Sequence, residues 1–416
     1  MAERASDERA YGIVVVGGGV TAAKAVETLR DEGYDGPVTV LAGEPLLPYD
    51  RPPLSKQVLT GEDPPDSTTL LDQEWYAEHE VDLRLGVEAR RLVPDRHQVV
   101  TADGRDLPYS KLLLATGSRV RTLPVPGADL DGVVTLRTLE DAVRMRDRLA
   151  DRPDVVVVGA GWIGLEAAAA ARAHGAQVTV VSPEAPLVRV LGDPLSDVFA
   201  GLHRDNGVDL RVGPGIDSFR GDQRVEAVVT SDGQLISADL VVIGVGVSPC
   251  VELAENAGLH IDDDTGGVFV DASLRTSRSD VYAAGDVASW PCAALGGRRI
   301  RVEHWANAHD GGVTAAKAML DPQVSHDALP FFFSDQYDAG MEYVGHVASV
   351  AQSQLVVRGE LATREFVALW CVDGRVEAGM HLNVWDTTDD VQALIRSRRQ
   401  LDPARLADTS VALSDI

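Results

Sequence analysis

One stretch of this chain occurs twice, and the repetition constrains the fold more than any other feature. Tyr11–Arg30 reads YGIVVVGGGVTAAKAVETLR, and Asp154–Ala173 reads DVVVVGAGWIGLEAAAAARA. Each is a run of β-branched residues, a glycine-rich turn and an alanine-rich run that reads as a helix. VTVLAGEPLL follows the first at 38–47 and VTVVSPEAPL the second at 178–187, so a whole βαβ unit is duplicated. Gly17, Gly19 and Ala22 in the first copy, and Gly159, Gly161 and Gly164 in the second, stand at G-x-G-x-x-G/A spacing. Such glycines let the backbone approach a pyrophosphate and leave it on the positive end of a helix. The spacing alone is a weak signal, but between a strand and a helix, with another strand following, it becomes strong. Glu44, just beyond VTVL, is the expected acceptor from a ribose hydroxyl, and Glu184 is in register with it in the second copy. The chain is therefore expected to hold two dinucleotides in an α/β frame.

At 416 residues there is room for two or three domains. The 45% hydrophobic and 25% charged content is that of an ordinary globular protein, and no apolar run reaches membrane-spanning length. MAERASDERAYG at the N-terminus lacks the apolar core of a signal peptide, so a cytoplasmic location is expected. A net charge of −26 argues against nucleic acid and against an anionic membrane surface as partners. A partner meets a patch and not the average, and two basic clusters stand out. These are Arg298, Arg299 and Arg301 in GGRRIR, and Arg396, Arg398 and Arg399 in IRSRRQ. The cysteines, Cys250, Cys292 and Cys371, form no C-x-x-C or C-x4-C pair, so neither a zinc site nor a dithiol centre is written locally.

Prolines at 45, 48, 52 and 53 stiffen a loop that presents Arg51 and Lys56. A hairpin around Asp103-Gly104 precedes a buried strand ending in Ala115-Thr116-Gly117-Ser118. Pro153 marks the start of the second unit, and residues 188–212 read as a helix and a strand. A second hairpin at Asp232-Gly233 leads to LVVIGVGVSP at 240–249, where Gly244 and Gly246 read as a crossing point between domains. In VYAAGDVA, Asp286 stands at a glycine turn ahead of an expected helix. A buried carboxylate there needs donors, from a ligand hydroxyl or from helix-terminal N–H groups. Trp305 stands just ahead of a small-residue helix. From about residue 325 alternating stretches predict an antiparallel sheet with a helix near 388–400, a separate α+β domain.

Five motifs then carry a family resemblance: PYDRPPLSK (48–56), VGAGWIGLEAA (158–168), VYAAGDVA (281–288), EHWANA (303–308) and FSDQYD (333–338). Together they resemble the two-dinucleotide-binding-domain flavoproteins. Within these they are most similar to the FAD-dependent NAD(P)H:ferredoxin reductases, the group of putidaredoxin reductase and the bacterial dioxygenase reductases. The resemblance implies two Rossmann-like FAD- and NAD-binding domains of the glutathione-reductase kind plus a C-terminal α+β interface domain. Residues 1–117 and 245–322 would form the FAD domain, 118–244 the NAD(P)H domain and 323–416 the interface domain. Gly17, Gly19, Ala22, Glu44, Arg51, Lys56, Thr116, Gly117, Asp286 and Trp305 are implied to hold FAD. Gly159, Gly161, Ile163, Gly164, Glu166, Glu184 and Gly246 are implied to hold NAD(P)H. Lys56 near the flavin, Glu166 beside the nicotinamide and Trp305 near the isoalloxazine are the implied catalytic residues.

The implied reaction carries a hydride from NAD(P)H to FAD and single electrons onward to a small acidic iron–sulfur ferredoxin with a 2Fe–2S or 3Fe–4S cluster. That ferredoxin would dock near Arg298, Arg299 and Arg301 and serve a haem monooxygenase or a ring-hydroxylating oxygenase. Such chemistry asks for stacked rings, excluded water and a tuned flavin potential more than for acid–base groups. Relatives that reduce disulfides or peroxides carry cysteines in the first domain, and residues 1–249 here contain none. Two further readings stay open: a redox-sensing flavoprotein similar to apoptosis-inducing factor, and a rubredoxin reductase. Two departures from the family pattern matter. Ser182 stands where NADH-preferring relatives carry an acid; Glu184 favours NADH, with Arg189 nearby as the group that would admit NADPH. Phe333 replaces a tryptophan that relatives often carry before Ser-Asp-Gln.

Overall fold

Both copies of the duplicated stretch fold as strand, turn, helix and strand in the computed structural model, which describes residues 11–416. The residues before Tyr11, where the sequence argues against a signal peptide, lie outside that range. Ile13–Val16 leads into the helix Val20–Asp31 and the strand Val38–Ala42. Asp154–Val158 leads into the helix Trp162–Ala173 and the strand Gln177–Ser182. Each first strand is the middle of a five-stranded parallel sheet. A parallel strand covered on both faces needs apolar side chains on both, which is why these runs are unbroken and not alternating.

In one sheet Ile13–Val16 lies between Val38–Ala42, then Val81–Leu85, on one side and Lys111–Leu114, then Val281–Ala283, on the other. In the other, Asp154–Val158 lies between Gln177–Ser182, then Asp209–Val212, and Leu240–Ile243, then Val133–Thr135. The registers agree. Val16 pairs with Leu41 and Val158 with Val181, so Glu44 and Glu184 occupy equivalent positions.

The chain divides into two compact units. The first comprises residues up to Asp50, Thr68–Arg119 and Pro249–Phe331; the second comprises Arg51–Ser67, Val120–Ser248 and Phe332–Ile416. The first unit adds the antiparallel strands Ala89–Val93, Gln98–Thr101 and Asp106–Pro108, the latter two joined at Asp103-Gly104, with Gly104 at φ +82°. It also packs the helix Trp305–Leu320 on Val20–Asp31. A Cβ on Gly312 would overlap the Thr21 carbonyl, so the helix is built of small residues to let two backbones approach.

The second unit adds the antiparallel strands Ile216–Gly221, Val225–Thr230 and Leu235–Ser237, turning at Asp232-Gly233. It also holds a five-stranded sheet in the order Phe331–Gln336, Ala339–Gly345, Arg375–Leu382, Glu365–Val372, Gln354–Glu360. The helix Thr388–Ser397 covers that sheet, seated where Gly379 leaves room for Val391.

The expectations at Asp286 and at Trp305 differ from the structure. No α-helix follows Asp286. Val281–Ala283 ends in one 3-10 turn, Gly285–Val287, and the chain runs on into the strand Ala288–Cys292. Ala288, the residue after the turn, is extended at φ −90° and ψ 139° and pairs in parallel with Val268, which ends the helical run. Trp305 is the first residue of its helix and does not precede it.

Candidate functional site

Open parallel sheets receive ligands beyond the carboxyl ends of their strands, and the expected residues lie there. In the first unit, Gly17 follows Ile13–Val16, Glu44 follows Val38–Ala42, Thr116 and Gly117 follow Lys111–Leu114, and Asp286 follows Val281–Ala283. These four strands are neighbours in one sheet. In the second unit Gly159 and Gly161 follow Asp154–Val158, Glu184 follows Gln177–Ser182, and Gly246 follows Leu240–Ile243.

The fingerprint glycines are of two kinds. A Cβ on Gly17 would overlap the Ala115 carbonyl, one on Gly159 the Gly244 carbonyl, and one on Gly164 the carbonyl of Gly159. Those glycines serve the protein's own packing, and the buried Ala22 fills the place of Gly164 in the first copy. Gly19 and Gly161 differ: among the described residues no atom lies within 4 Å of where a Cβ would stand. Each is the N-cap of a twelve-residue helix that has no side-chain cap and no acid in its first turn. An uncapped N-terminus presents N–H donors and the positive end of the helix dipole, with no carboxylate competing. Both sites therefore fit the pyrophosphate of a dinucleotide.

Several of the expected residues already have partners, through side chain or backbone. Tyr49 Oη donates to the Glu44 carboxylate at 2.5 Å. Thr116 Oγ1 donates to the Cys250 carbonyl at 2.7 Å, and the Gly117 carbonyl accepts from the Cys250 N–H at 2.9 Å. The Asp286 carbonyl accepts from Arg301 at 3.2 Å. Trp305 Nε1 donates to Asp50 Oδ1 at 2.6 Å, and its ring tilts against His309 one turn on. Burial pushes the Asp50 carboxyl up, opposed by that indole bond and by the charges of Lys24 and His309. Arg51 Nη1 donates to the Arg137 carbonyl at 2.5 Å. Ile163, in the first turn after Gly161, is 47% exposed. Gly246 takes φ +94°, and among the described residues no atom lies within 4 Å of where its Cβ would stand.

The closest meeting is between Lys56 and Glu166. Lys56 Nζ lies 2.9 Å from Glu166 Oε2, with side chains 9% and 4% exposed. Ser55 Oγ also donates to Oε2, and Ser334 Oγ donates to Oε1 at 2.7 Å. Lys56 Nζ is 5.5 Å from the centre of the Phe333 ring. Removing either charge from water costs several kcal/mol, so pairing and the two hydroxyls are what make the arrangement tolerable. The network continues: Gln336 Nε2 donates to Ser334 Oγ at 3.1 Å, His203 Nε2 lies 2.8 Å from Gln336 Oε1, and Tyr337 Oη lies 3.3 Å from His203 Nδ1.

Three periodicities build this network. Trp162 and Glu166 are one turn apart on their helix, and Phe199 and His203 one turn apart on the helix Asp193–Asp205. Phe332, Ser334 and Gln336 alternate onto one face of Phe331–Gln336. The aromatic members pack edge-on, Trp162 to Phe199 at 5.4 Å and to Phe332 at 5.3 Å, and the polar members meet beside them. Burial pushes His203 down, and the bond to Gln336 opposes the shift. Asp335 is raised by burial, lowered by Lys56 and raised again by Glu166.

Sequence reasoning missed Asp50, Ser55, Ser334, Gln336 and His203. The first four stand inside PYDRPPLSK and FSDQYD; alternation was the available signal for Ser334 and Gln336 on their strand, and Asp50, Ser55 and His203 carried none. The structure groups Arg51, Lys56 and Glu166 in the second unit and Trp305 in the first.

Of the basic cluster, Arg299 donates to the carbonyls of Val270 and Ser289, lies 3.5 Å over the Phe269 ring and is 3.7 Å from Asp262. Arg301 donates to the Thr265 carbonyl and to Glu303. Cys292 and Cys371 are buried, and burial pushes the Cys371 thiol up to about 11. Among the described residues no cluster of His, Cys, Asp and Glu could hold a metal ion, and no helix is long and apolar enough to cross a membrane.

Comparison with known proteins agrees with this geometry. Residues 11–312 match the family described as pyridine nucleotide-disulphide oxidoreductase, and residues 331–416 the one described as reductase C-terminal. The chain is 37% identical over 413 residues to the 5,5'-dehydrodivanillate O-demethylase ferredoxin reductase subunit of Sphingobium sp., covering 98% of each chain. It is 34% identical over 407 residues to the benzene 1,2-dioxygenase system ferredoxin–NAD(+) reductase subunit of Pseudomonas putida, covering 97% of each. The crystal structure of the covalent putidaredoxin reductase–putidaredoxin complex superposes with a TM-score of 0.91 at 34% identity over 97% of each chain.

Proposed function

The chain belongs to the pyridine nucleotide-disulphide oxidoreductase family, and from that premise we propose that it works as an FAD-dependent NAD(P)H:ferredoxin reductase of an oxygenase system. The observation that carries this reading is the pair of uncapped, glycine-opened helix N-termini in a chain whose residues 1–249 contain no cysteine. Two dinucleotides are accommodated, and no dithiol lies in that stretch to relay electrons between them. FAD, when bound, accepts a hydride from NAD(P)H and releases electrons one at a time to an iron–sulfur acceptor.

The chain's own residues supply the setting. In this reading Gly17, Gly19 and Ala22 take the FAD pyrophosphate and Glu44 its ribose. Arg51, Lys56, Thr116, Gly117, Asp286 and Trp305 serve the rest of the cofactor. Gly159, Gly161, Ile163, Gly164, Glu184 and Gly246 take the nicotinamide dinucleotide, with Glu166 beside its reactive ring. Residues 1–117 and 245–322 form the FAD domain, 118–244 the NAD(P)H domain and 323–416 the interface domain. Lys56 keeps a positive charge where negative charge gathers on reduction, and its ion pair with Glu166 fixes it there.

NADH is the favoured donor. Glu184 is held by Arg189 through both carboxylate oxygens, one bond being 2.8 Å, so the guanidinium that would greet a 2′-phosphate is already engaged. The acceptor is a small acidic ferredoxin with a 2Fe–2S or 3Fe–4S cluster, docking near Arg298, Arg299 and Arg301 in the cytoplasm. Arg299 and Arg301 are tied to internal acceptors and each stands beside an acid, Asp262 and Glu303, so what they offer a partner is a fixed and partly neutralised charge. Cytochrome c reduction by NADH should then require added ferredoxin and weaken as salt rises. Equal rates without ferredoxin would remove that acceptor from the reading.

A further inference from the structure

The hydrogen-bond chain behind Glu166 admits one polarity. Paired with Lys56 at 2.9 Å, Glu166 is a carboxylate and can only accept. Ser334 therefore gives its one hydroxyl proton to Oε1, 2.7 Å away, and must accept from its other neighbour, Gln336. That turns the Gln336 amide nitrogen toward Ser334 and its carbonyl oxygen, which accepts only, toward His203. The His203 Nε2 must carry a proton. The Nδ1 of the neutral ring is left to accept from the Tyr337 hydroxyl, 3.3 Å away. His203 is fully buried, which keeps the ring neutral. Amide and imidazole orientations are ordinarily ambiguous; here the charge at the far end of the chain decides both.

We propose that His203 is a positioning residue for Glu166: its Nε2–H, relayed through Gln336 and Ser334, holds the carboxylate ionised and fixes its orientation. The consequence for hydride transfer rests on the placement of Glu166 beside the nicotinamide, whereas the polarity of the relay does not. Lys56, on the turn after Pro52–Ser55, and Asp335, on the strand, are the charged groups facing Glu166, and Asp335 in turn faces Glu342. Arg172 faces the Tyr337 end. Lys56 favours the carboxylate and Asp335 opposes it, so the Ser334 bond adds to the side of Lys56. Without a donor at 203, Gln336 is free to turn over and Ser334 to donate elsewhere.

Two measurements on the FAD-loaded enzyme test this. With 15N-labelled histidine, the His203 signals are assigned by their loss in His203→Gln. The expected result is an Nε2–H tautomer that does not titrate between about pH 5.5 and 8. In Glu166→Gln, whose amide can also donate, a mixture of tautomers is expected. An Nδ1–H tautomer in the wild type, or a ring that titrates with the exposed histidines, overturns the proposal. The second measurement is the pH profile of flavin reduction by NADH in rapid mixing. His203→Leu should move its acid limb up by about one pH unit, the worth of one charge-assisted hydrogen bond. His203→Gln, which presents an N–H to Gln336 and an oxygen to Tyr337, should return the limb to its wild-type place. A slower rate with an unmoved limb in His203→Leu, or the same shift in His203→Gln, assigns the residue to packing and overturns the proposal. If Glu166→Gln leaves flavin reduction untouched while His203 shows the Nε2–H tautomer, the nicotinamide assignment of Glu166 fails and the relay is upheld.

Discussion

Lys56 and Glu166 meet where little water reaches, so each is tolerable only in the presence of the other. Lys56→Met leaves a buried carboxylate with two hydroxyl donors and should destabilise the enzyme by about 3–5 kcal/mol. Lys56→Met combined with Glu166→Gln removes both charges and should recover most of that loss in urea unfolding; additive losses would mean that the pair is not coupled. At the exposed Glu184–Arg189 pair the reasoning reverses. Their side chains are 44% and 80% exposed, so the pair adds little to stability, and the role proposed for it is in the choice of ligand. Glu184→Ala releases Arg189, and the ratio of kcat/KM for NADPH over NADH should rise on the order of tenfold. An unchanged ratio would take Glu184 out of nucleotide selection.

At the level of the βαβ element, two glycines three residues apart should behave oppositely. Gly161→Ala adds a methyl group into open space at φ −84°, so Tm should hold while NAD(P)H binding weakens by on the order of tenfold. Gly164→Ala drives a methyl group into the Gly159 carbonyl and should cost about 1–3 kcal/mol by lifting the helix from the sheet. Equal losses of Tm in both variants would contradict the division of roles. These elements were legible because hydrophobic runs and glycine turns are local patterns. Where a single backbone angle decides, legibility stops. One helix was expected in 188–212, but Gly192 at φ +83° divides it into Val188–Leu191 and Asp193–Asp205. The extended backbone at Ala288 likewise cut the helix expected after Asp286 to one turn. Glu166 and Lys56 could be named from their motifs, yet nothing local says that they touch. Ser334 lies 168 positions from Glu166 and His203 lies 133 from Gln336, and no periodicity reaches that far.

For the molecule as a whole, buried imidazoles set the response to acid. His326 is 3% exposed, and burial holds its ring down at about 4, against the upward pull of Asp310 and Asp327. The unfolded chain titrates that ring near 6.5. Between about pH 6.5 and 4 the unfolded state therefore binds a proton that the folded state refuses, and stability falls as pH falls through that window. His203 acts with the same sign. Roughly 2 kcal/mol should be lost to His326 between about pH 7 and 5, read as a falling urea midpoint, and His326→Gln should flatten the fall. A wild-type midpoint that holds or rises would contradict it. The division into units bears on how such a molecule is made. A ribosome delivers the chain in one direction, but the first unit draws on three separated stretches and the second on three others, interleaved with them. The first parallel sheet waits for its edge strand Val281–Ala283, and Glu166 waits for Ser334. A nascent chain that stops anywhere before Phe331 leaves both units unfinished. The repeat so plain in the sequence is thus not a pair of beads that can be synthesised, or borrowed, one at a time.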